Sequence, residues 1–325
     1  MTTSKKAPFE ALVPLPLKGS PLDAVVRALF EATWGDARKW IETGKITVDG
    51  DVTTDVKTRV RAGSSVRLSM NAPKPRGEGD LEPERIVHLD GHVVVVDKPP
   101  GISTVPFDET DLDTLDARVR AHLARTVRST RTAASRPSLG VVHRLDKETS
   151  GLLVFARSWL AKQSLSRQFR FHTVERRYIA LVHGALRKQT FRSHLIADRG
   201  DGLRGSIEQQ KARGKPMRGI EGQLAVTHVD VLERLPGATL VHCRLETGRT
   251  HQIRIHLSEA GHPLVGERVY IRGFDAPRIS APRLMLHAEV LGFSHPQTEE
   301  TLRFERPMPS DMKRVLARLR EGGTA

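Results

Sequence analysis

One cysteine, Cys243, stands among the 325 residues, so no disulfide can close within the chain. No apolar run is long enough to span a bilayer. The first residues, Met1-Thr2-Thr3-Ser4-Lys5-Lys6, lack the apolar core of a secretory signal. There is no dinucleotide-binding glycine fingerprint, no phosphate-binding loop and no cysteine cluster. These absences lead to the expectation of a cytoplasmic protein, monomeric by default, that needs no membrane, no cofactor and no metal. Acidic residues are also missing over one long stretch. From Ala117 to Leu145 there is none, against seven arginines: Arg118, Arg120, Arg125, Arg128, Arg131, Arg136 and Arg144. From Arg157 to Arg192 nine lysines or arginines face one acid, Glu175.

The formal charge is +14 and the sequence pI near 10.4. Such an excess points to a polyanionic partner, nucleic acid before an anionic membrane. Hydrophobic residues make up 38% of the chain, enough for a true core. Clustered positive charge reads as a groove that tracks phosphates, which supplies affinity without base information; the competing reading is a solvated basic face.

Residues 1–17 form a proline-containing tail. Ser20-Pro21-Leu22-Asp23 has the pattern of a helix start, with Ser20 as cap and Pro21 at the first helical position. A second helix is expected from Asp36 to Thr43, stopped by Gly44. Ile46 to Thr53 alternates around Asp49-Gly50, a hairpin signal, and Val60 to Leu68 suggests another strand pair. These elements make a small module over 18–70. Residues 71–84 are a linker by their Pro, Gly and mixed charge, and 85–325 a second, larger domain. There, Val93 to Val96 reads as a strand buried on both faces. Further strands are expected at Leu152–Ala156, Arg176–Gly184, Gln223–Leu232, Thr239–Glu246, Gln252–Leu257, Leu284–Leu291 and Thr301–Arg306. Helices are expected from Ser158 to Phe169 and from near Ser310, and an exposed loop at Asp198–Glu221. The class is α+β, a large mostly antiparallel mixed sheet with flanking helices, plus the small N-terminal α/β module.

Four segments carry chemistry. Lys98-Pro99-Pro100-Gly101 ends a buried strand. His143-Arg144-Leu145-Asp146-Lys147-Glu148-Thr149-Ser150-Gly151 sets a carboxylate among cations in a turn. Arg177-Tyr178 opens a strand. Thr247-Gly248-Arg249-Thr250-His251-Gln252-Ile253-Arg254 is rich in donors, and Gly261-His262-Pro263-Leu264-x-Gly266 follows it. In these segments and their order, the chain resembles the pseudouridine synthases of the RluA/RluC/RluD type, over roughly residues 85 to 306. The N-terminal module resembles the S4-like (alpha-L) RNA-binding domain, with Asp36 to Val48 matching its core. It departs from that pattern at Gly35-Asp36-Ala37, where Ser-Arg is usual. Asp97 stands where Asn is common and Glu267 where Asp is common, and neither is expected to touch the residues that carry the chemistry.

The resemblance implies isomerisation of uridine to pseudouridine in structured RNA, with large-subunit (23S) ribosomal RNA favoured and tRNA the alternative. No redox change, group donor or cofactor is required. It assigns Asp146 as the catalytic carboxylate, either nucleophile at the sugar or base. A carboxylate in a desolvated site protonates unless paired. Arg249 is the expected partner and Arg254 the second choice. Tyr178 would stack on the uracil and help move the proton on carbon. Arg144 would fill the gap left by an extruded nucleotide, offsetting part of the few kcal/mol that flipping costs. His143, Lys98, Thr149, Arg177, His251, Arg254 and Arg170 join Arg144 as expected RNA contacts. His143, His251 and His256 do not have zinc-site spacing. Ser150 lacks a nucleophile elbow. Two other readings are a non-catalytic RNA-binding or ribosome-assembly protein and a glycosidase, which would need a second carboxylate such as Glu148.

Overall fold

The computed structural model describes residues 10–53, 55–70, 72, 81–107, 111, 113–128, 139–217 and 219–322. The chain divides into two compact units, Met1–Glu78 and Gly79–Ala325. Most of the expected linker, and Arg131 and Arg136, lie outside the described residues.

The first unit contains β1 (Glu10–Leu12), α1 (Leu22–Phe30), α2 (Trp34–Glu42), β2 (Ile46–Val48), β3 (Asp51–Val52) and β4 (Ser65–Leu68). The strands form a sheet in the order β1-β4-β2-β3. The Asp49-Gly50 hairpin forms as expected, both residues with positive φ (52° and 91°), which a two-residue turn of matching twist requires. Helix α2 starts two residues before Asp36. The Thr33 hydroxyl accepts from the Asp36 N–H at 3.1 Å and donates to the Asp36 carboxylate at 2.7 Å. Asp36, the departure noted from the S4 pattern, is thus part of the helix cap. The expected strand pair over Val60–Leu68 shrinks to β4, because Gly63 (φ 83°) turns the chain just before it. Leu22, Val25, Val26, Ile41, Ile46 and Val66 form this unit's own core.

The second unit contains β5 (Ile86–Leu89), β6 (Val93–Lys98), α3 (Leu115–Arg128), β7 (Gly140–Val141), β8 (Ser150–Ala156), α4 (Trp159–Arg170), β9 (Glu175–His183), β10 (Gln189–Ile196), β11 (Gly205–Ser206), α5 (Ile207–Ala212), β12 (Gln223–Leu235), β13 (Ala238–Leu245), α6 (Gln252–Glu259), β14 (Leu286–Ser294), β15 (Thr301–Glu305) and α7 (Ser310–Arg320). Its sheet runs β11-β10-β12-β13-β9-β14-β8-β6-β5, with β15 on β14 and β7 on β8. It is antiparallel except where β8 runs parallel to β14. Val93 to Val96 are fully buried, as the valine run suggests, and every residue of β8 is buried. Central strands covered on both faces have no polar face to show.

Two further expectations are corrected. Gln252–Leu257 is not a strand but most of α6. Ile253, Ile255 and Leu257 alternate as in a strand, yet all six residues are buried, so no solvent face exists to give either period a meaning. The segment Asp198–Glu221 is not all loop. It contains β11 and α5, whose cap Ser206 accepts from the Gln209 N–H at 3.1 Å and donates to Glu259 at 2.5 Å. Helix α3, which reaches past Arg125, and strand β10 have no counterpart in the sequence reading.

Candidate active site

The turn between β7 and β8 is built from below. Lys98, at the end of β6, pairs in register with Gly151 at the start of β8. Its ammonium is buried and donates to three carbonyls: Pro99 at 3.0 Å, Lys147 at 2.8 Å and Thr149 at 2.8 Å. Three donors meet three acceptors, and two of these acceptors belong to the turn that carries Asp146. Burial pushes the Lys98 amine down to about 7, against the pull of the Asp146 and Glu148 carboxylates. Lys98 is therefore no RNA contact but a support under the turn. The Gly101 N–H donates to the Lys147 carbonyl at 2.9 Å, and Thr104 brackets Leu145 with bonds to its carbonyl (2.9 Å) and its N–H (3.1 Å). The Thr149 N–H closes the turn onto the Asp146 carbonyl at 3.1 Å, and the Thr149 hydroxyl is buried without a partner among the described residues.

Asp146 lies in a cavity of about 430 Å³. Its side chain is 18% exposed and forms an ion pair with Arg254 at 3.5 Å. No ion pair joins it to Arg249, the partner expected first. The Arg249 side chain lines the cavity but donates to the Leu224 carbonyl at 3.1 Å. Helix geometry explains the outcome. His251 takes a left-handed conformation (φ 58°) at the start of α6, and one turn into the helix Arg254 faces Asp146. Gln252 pins the start of α6: its carbonyl oxygen accepts from Thr247 and the Arg249 N–H, and its amide donates to Val226 and Thr227.

Arg254 is itself clamped. Its guanidinium donates two bonds of 2.8 Å to the Glu267 carboxylate, whose side chain is 1% exposed. Glu267 also accepts backbone N–H bonds from Arg268, Val269 and Tyr270. Burial opposes the Arg254 charge, but the Glu267 bonds and the Glu267 and Asp146 charges hold its pKa above the usual arginine range. Glu267 thus does reach the chemistry, one residue removed, contrary to the expectation. Its position was visible in the sequence; its burial against Arg254 was not.

His251 also approaches Asp146, its Nε2 3.9 Å from the carboxylate and its Nδ1 2.7 Å from the Tyr270 hydroxyl. Burial lowers its pKa, with Asp146 pulling the other way. His143 accepts from the Val154 N–H through Nε2 at 3.2 Å and stacks on Phe169 at 4.3 Å. Burial, with the nearby Arg176 charge, pushes it down to about 3, so it is a neutral imidazole. Arg144 and Arg170 are exposed at the cavity wall.

Strand alternation sorts the β9 residues. Tyr178 and Arg176 face the cavity, and Arg177 points the opposite way, its guanidinium 2.9 Å from Glu289 and 3.8 Å from Glu305. Arg177, expected as an RNA contact, thus lies outside the cavity and pairs with Glu289 and Glu305. Arg176 is the residue that was missed: it donates to the Glu246 carbonyl at 2.9 Å, and its Nε has no partner among the described residues. Its spacing of two from Tyr178 was the available signal. Gly248 leaves the room its guanidinium occupies, since a Cβ there would strike Nη1. Tyr178 is 8% exposed, and burial pushes its phenol up to about 12.

Residues 92–259 match the RNA pseudouridylate synthase family, and residues 20–66 match the S4 domain. A protein of Nitrosomonas europaea called ribosomal large subunit pseudouridine synthase D is 36% identical over 324 residues, covering 96% of this chain and 88% of that one. An RNA pseudouridine synthase of Bacillus subtilis is 37% identical over 304 residues, covering 91% of this chain and 93% of its own. Among solved structures, human RNA Pseudouridylate Synthase Domain Containing 4 superposes with a TM-score of 0.57 at 24% identity, over 73% of this chain and 93% of that one. The site is thus met in a chain similar to pseudouridine synthases along nearly its whole length, and the chain belongs to the RNA pseudouridylate synthase family.

Proposed function

We propose that this enzyme converts uridine to pseudouridine in large-subunit ribosomal RNA, with Asp146 as its catalytic carboxylate. The observation that carries the reading is the Asp146–Arg254 ion pair inside the cavity, backed by Glu267. The reaction cleaves the bond from ribose to the base nitrogen, turns the uracil, and rejoins it through carbon. It needs an oxyanion at the sugar and a site that retains the detached base. Asp146 supplies the first, attacking the anomeric carbon or taking a proton from the sugar. Tyr178, its ring at the cavity wall, supplies a stacking face for the uracil, and its neutral hydroxyl a hydrogen bond during proton movement. A uridine in a helix cannot reach a recessed carboxylate, so the nucleotide must flip out. Arg144, exposed at the rim, fills the gap. The target class is supported by relatives named for the large ribosomal subunit, and by the positive charge of the chain.

The test is pseudouridine mapping in ribosomal RNA from cells with and without the gene, complemented by wild type or Asp146→Asn. Wild type restores the missing pseudouridines, and the variant, at equal abundance and RNA affinity, is slower by about 10²–10⁴-fold. Equal turnover by wild type and variant removes Asp146 from the mechanism. An unchanged ribosomal map, with a changed tRNA map, moves the substrate to tRNA.

A further inference from the structure

Helix α4 ends beside the cavity with a large apolar ring in solvent. Phe171 is 64% exposed. Phe169, Arg170 and His172, its neighbours in sequence, all line the cavity. The backbone here is tightly defined. The His172 N–H bonds the Phe169 carbonyl, the Thr173 N–H bonds the Gln168 carbonyl, and His172 takes a left-handed conformation (φ 59°). That is a Schellman ending, in which glycine is the usual left-handed residue. A β-carbon held in this region costs energy, a feature that gathers at functional sites. The guanidinium groups of Arg167 and Arg170 lie 5.9 and 6.0 Å from the centre of the Phe171 ring, at the outer limit of cation–π contact. Both are exposed. An exposed ring on a hydrogen-bonded turn, with two cations near it at the edge of a site for a flipped nucleotide, has the composition of a single-strand stacking platform.

We propose that Phe171 stacks on the base of a nucleotide adjacent to the target uridine, while Arg167 and Arg170 hold the phosphates on either side of it. The inference rests on the uridine-flipping reading above and adds to it a contact outside the cavity. A flipped target leaves its neighbours partly unstacked, and an aromatic face recovers that stacking for any base. Phe171 then sets the requirement for an unpaired neighbour rather than for a particular sequence.

The test uses an unmodified ribosomal RNA transcript that the wild-type enzyme converts, together with transcripts in which the nucleotide 5′ or 3′ of the target is abasic. Conversion of the intact transcript by wild type checks the synthase reading by itself. Phe171→Ala and Phe171→Leu are expected to raise KM by about 5- to 100-fold with kcat little changed, and Phe171→Tyr to behave as wild type. One of the two abasic transcripts should raise KM for wild type by a similar factor and cause no further loss with Phe171→Ala. Wild-type KM in both the Ala and Leu variants overturns the proposal. So does a Phe171→Ala loss that multiplies with the abasic loss at both positions. The ring is exposed, so the variants should keep the wild-type melting temperature.

Discussion

Arg254 can face Asp146 with its charge intact because Glu267 holds it from behind. Removing that partner strands a buried cation, and breaking a buried pair from one side costs about 3–5 kcal/mol. Glu267→Gln should therefore lower stability by about that amount in urea denaturation. It should also reduce the single-turnover rate by at least about tenfold, as Arg254 shifts towards solvent or away from the carboxylate. Glu267→Asp keeps the charge and shortens the reach, so it should retain most of the stability and lose mainly rate. If Glu267→Gln turns over RNA as fast as wild type, the clamp has no part in positioning. The sequence shows a carboxylate at 267 and two arginines upstream, but carries no measure of which of them are buried together. Arg176 and Arg177 are the opposite case. Their opposite faces follow from alternation once Tyr178 is placed in the cavity.

Helices and strands present these side chains through a few exact fits. The start of β8 runs against β14, where Gly151 has φ 111° and an added β-carbon would run into the Ala288 backbone. Gly151→Ala should move the β8 start, and with it the Asp146 turn. We expect a loss of at least about 2 kcal/mol in stability, since strain and overpacking add at this position. A parallel fall in kcat with RNA affinity retained should accompany it; unchanged kcat at full folding would detach the turn from this strand contact. The Asp-Gly hairpin, the valine strand β6 and the capped helix α4 were legible because each has local chemistry that fits one conformation. Helix α6 was not. Its isoleucines favour a strand locally, and burial on every side overrides that preference.

Across the molecule, charge and buried histidines set the response to solution conditions. At +14, binding to RNA should weaken steeply with added salt as phosphate contacts release counterions. Filter binding at rising salt should give a straight log–log line, and a flat line would remove phosphate tracking from the account. Burial holds His143 down to about 3 and His256 down to about 4. Both are neutral when folded at pH 5, whereas unfolded histidines with ordinary pKa near 6.5 are charged there. The unfolded state then binds more protons, so stability rises with pH between the folded and unfolded values and falls on acidification below about 6.5. Urea midpoints at pH 7 and pH 5 should show this loss with at least about two protons taken up on unfolding, one for each of these imidazoles and more from the other histidines that burial lowers. His143→Gln should reduce the uptake by about one proton, and equal midpoints at the two pH values would contradict the burial of these rings.

Residue types and their order along the chain determined the available chemistry: carboxylates in a cationic turn, an aromatic ring on a strand, an excess of phosphate-binding charge, and no thiol cluster or phosphate loop. Such features are local or additive, and survive being read one after another. Which guanidinium meets Asp146, which lysine never sees RNA, and which glutamate stands behind the pair were decided only by the tertiary structure. Those contacts join residues far apart in the chain, and burial, which selects among the candidates, belongs to the folded molecule rather than to any segment of it.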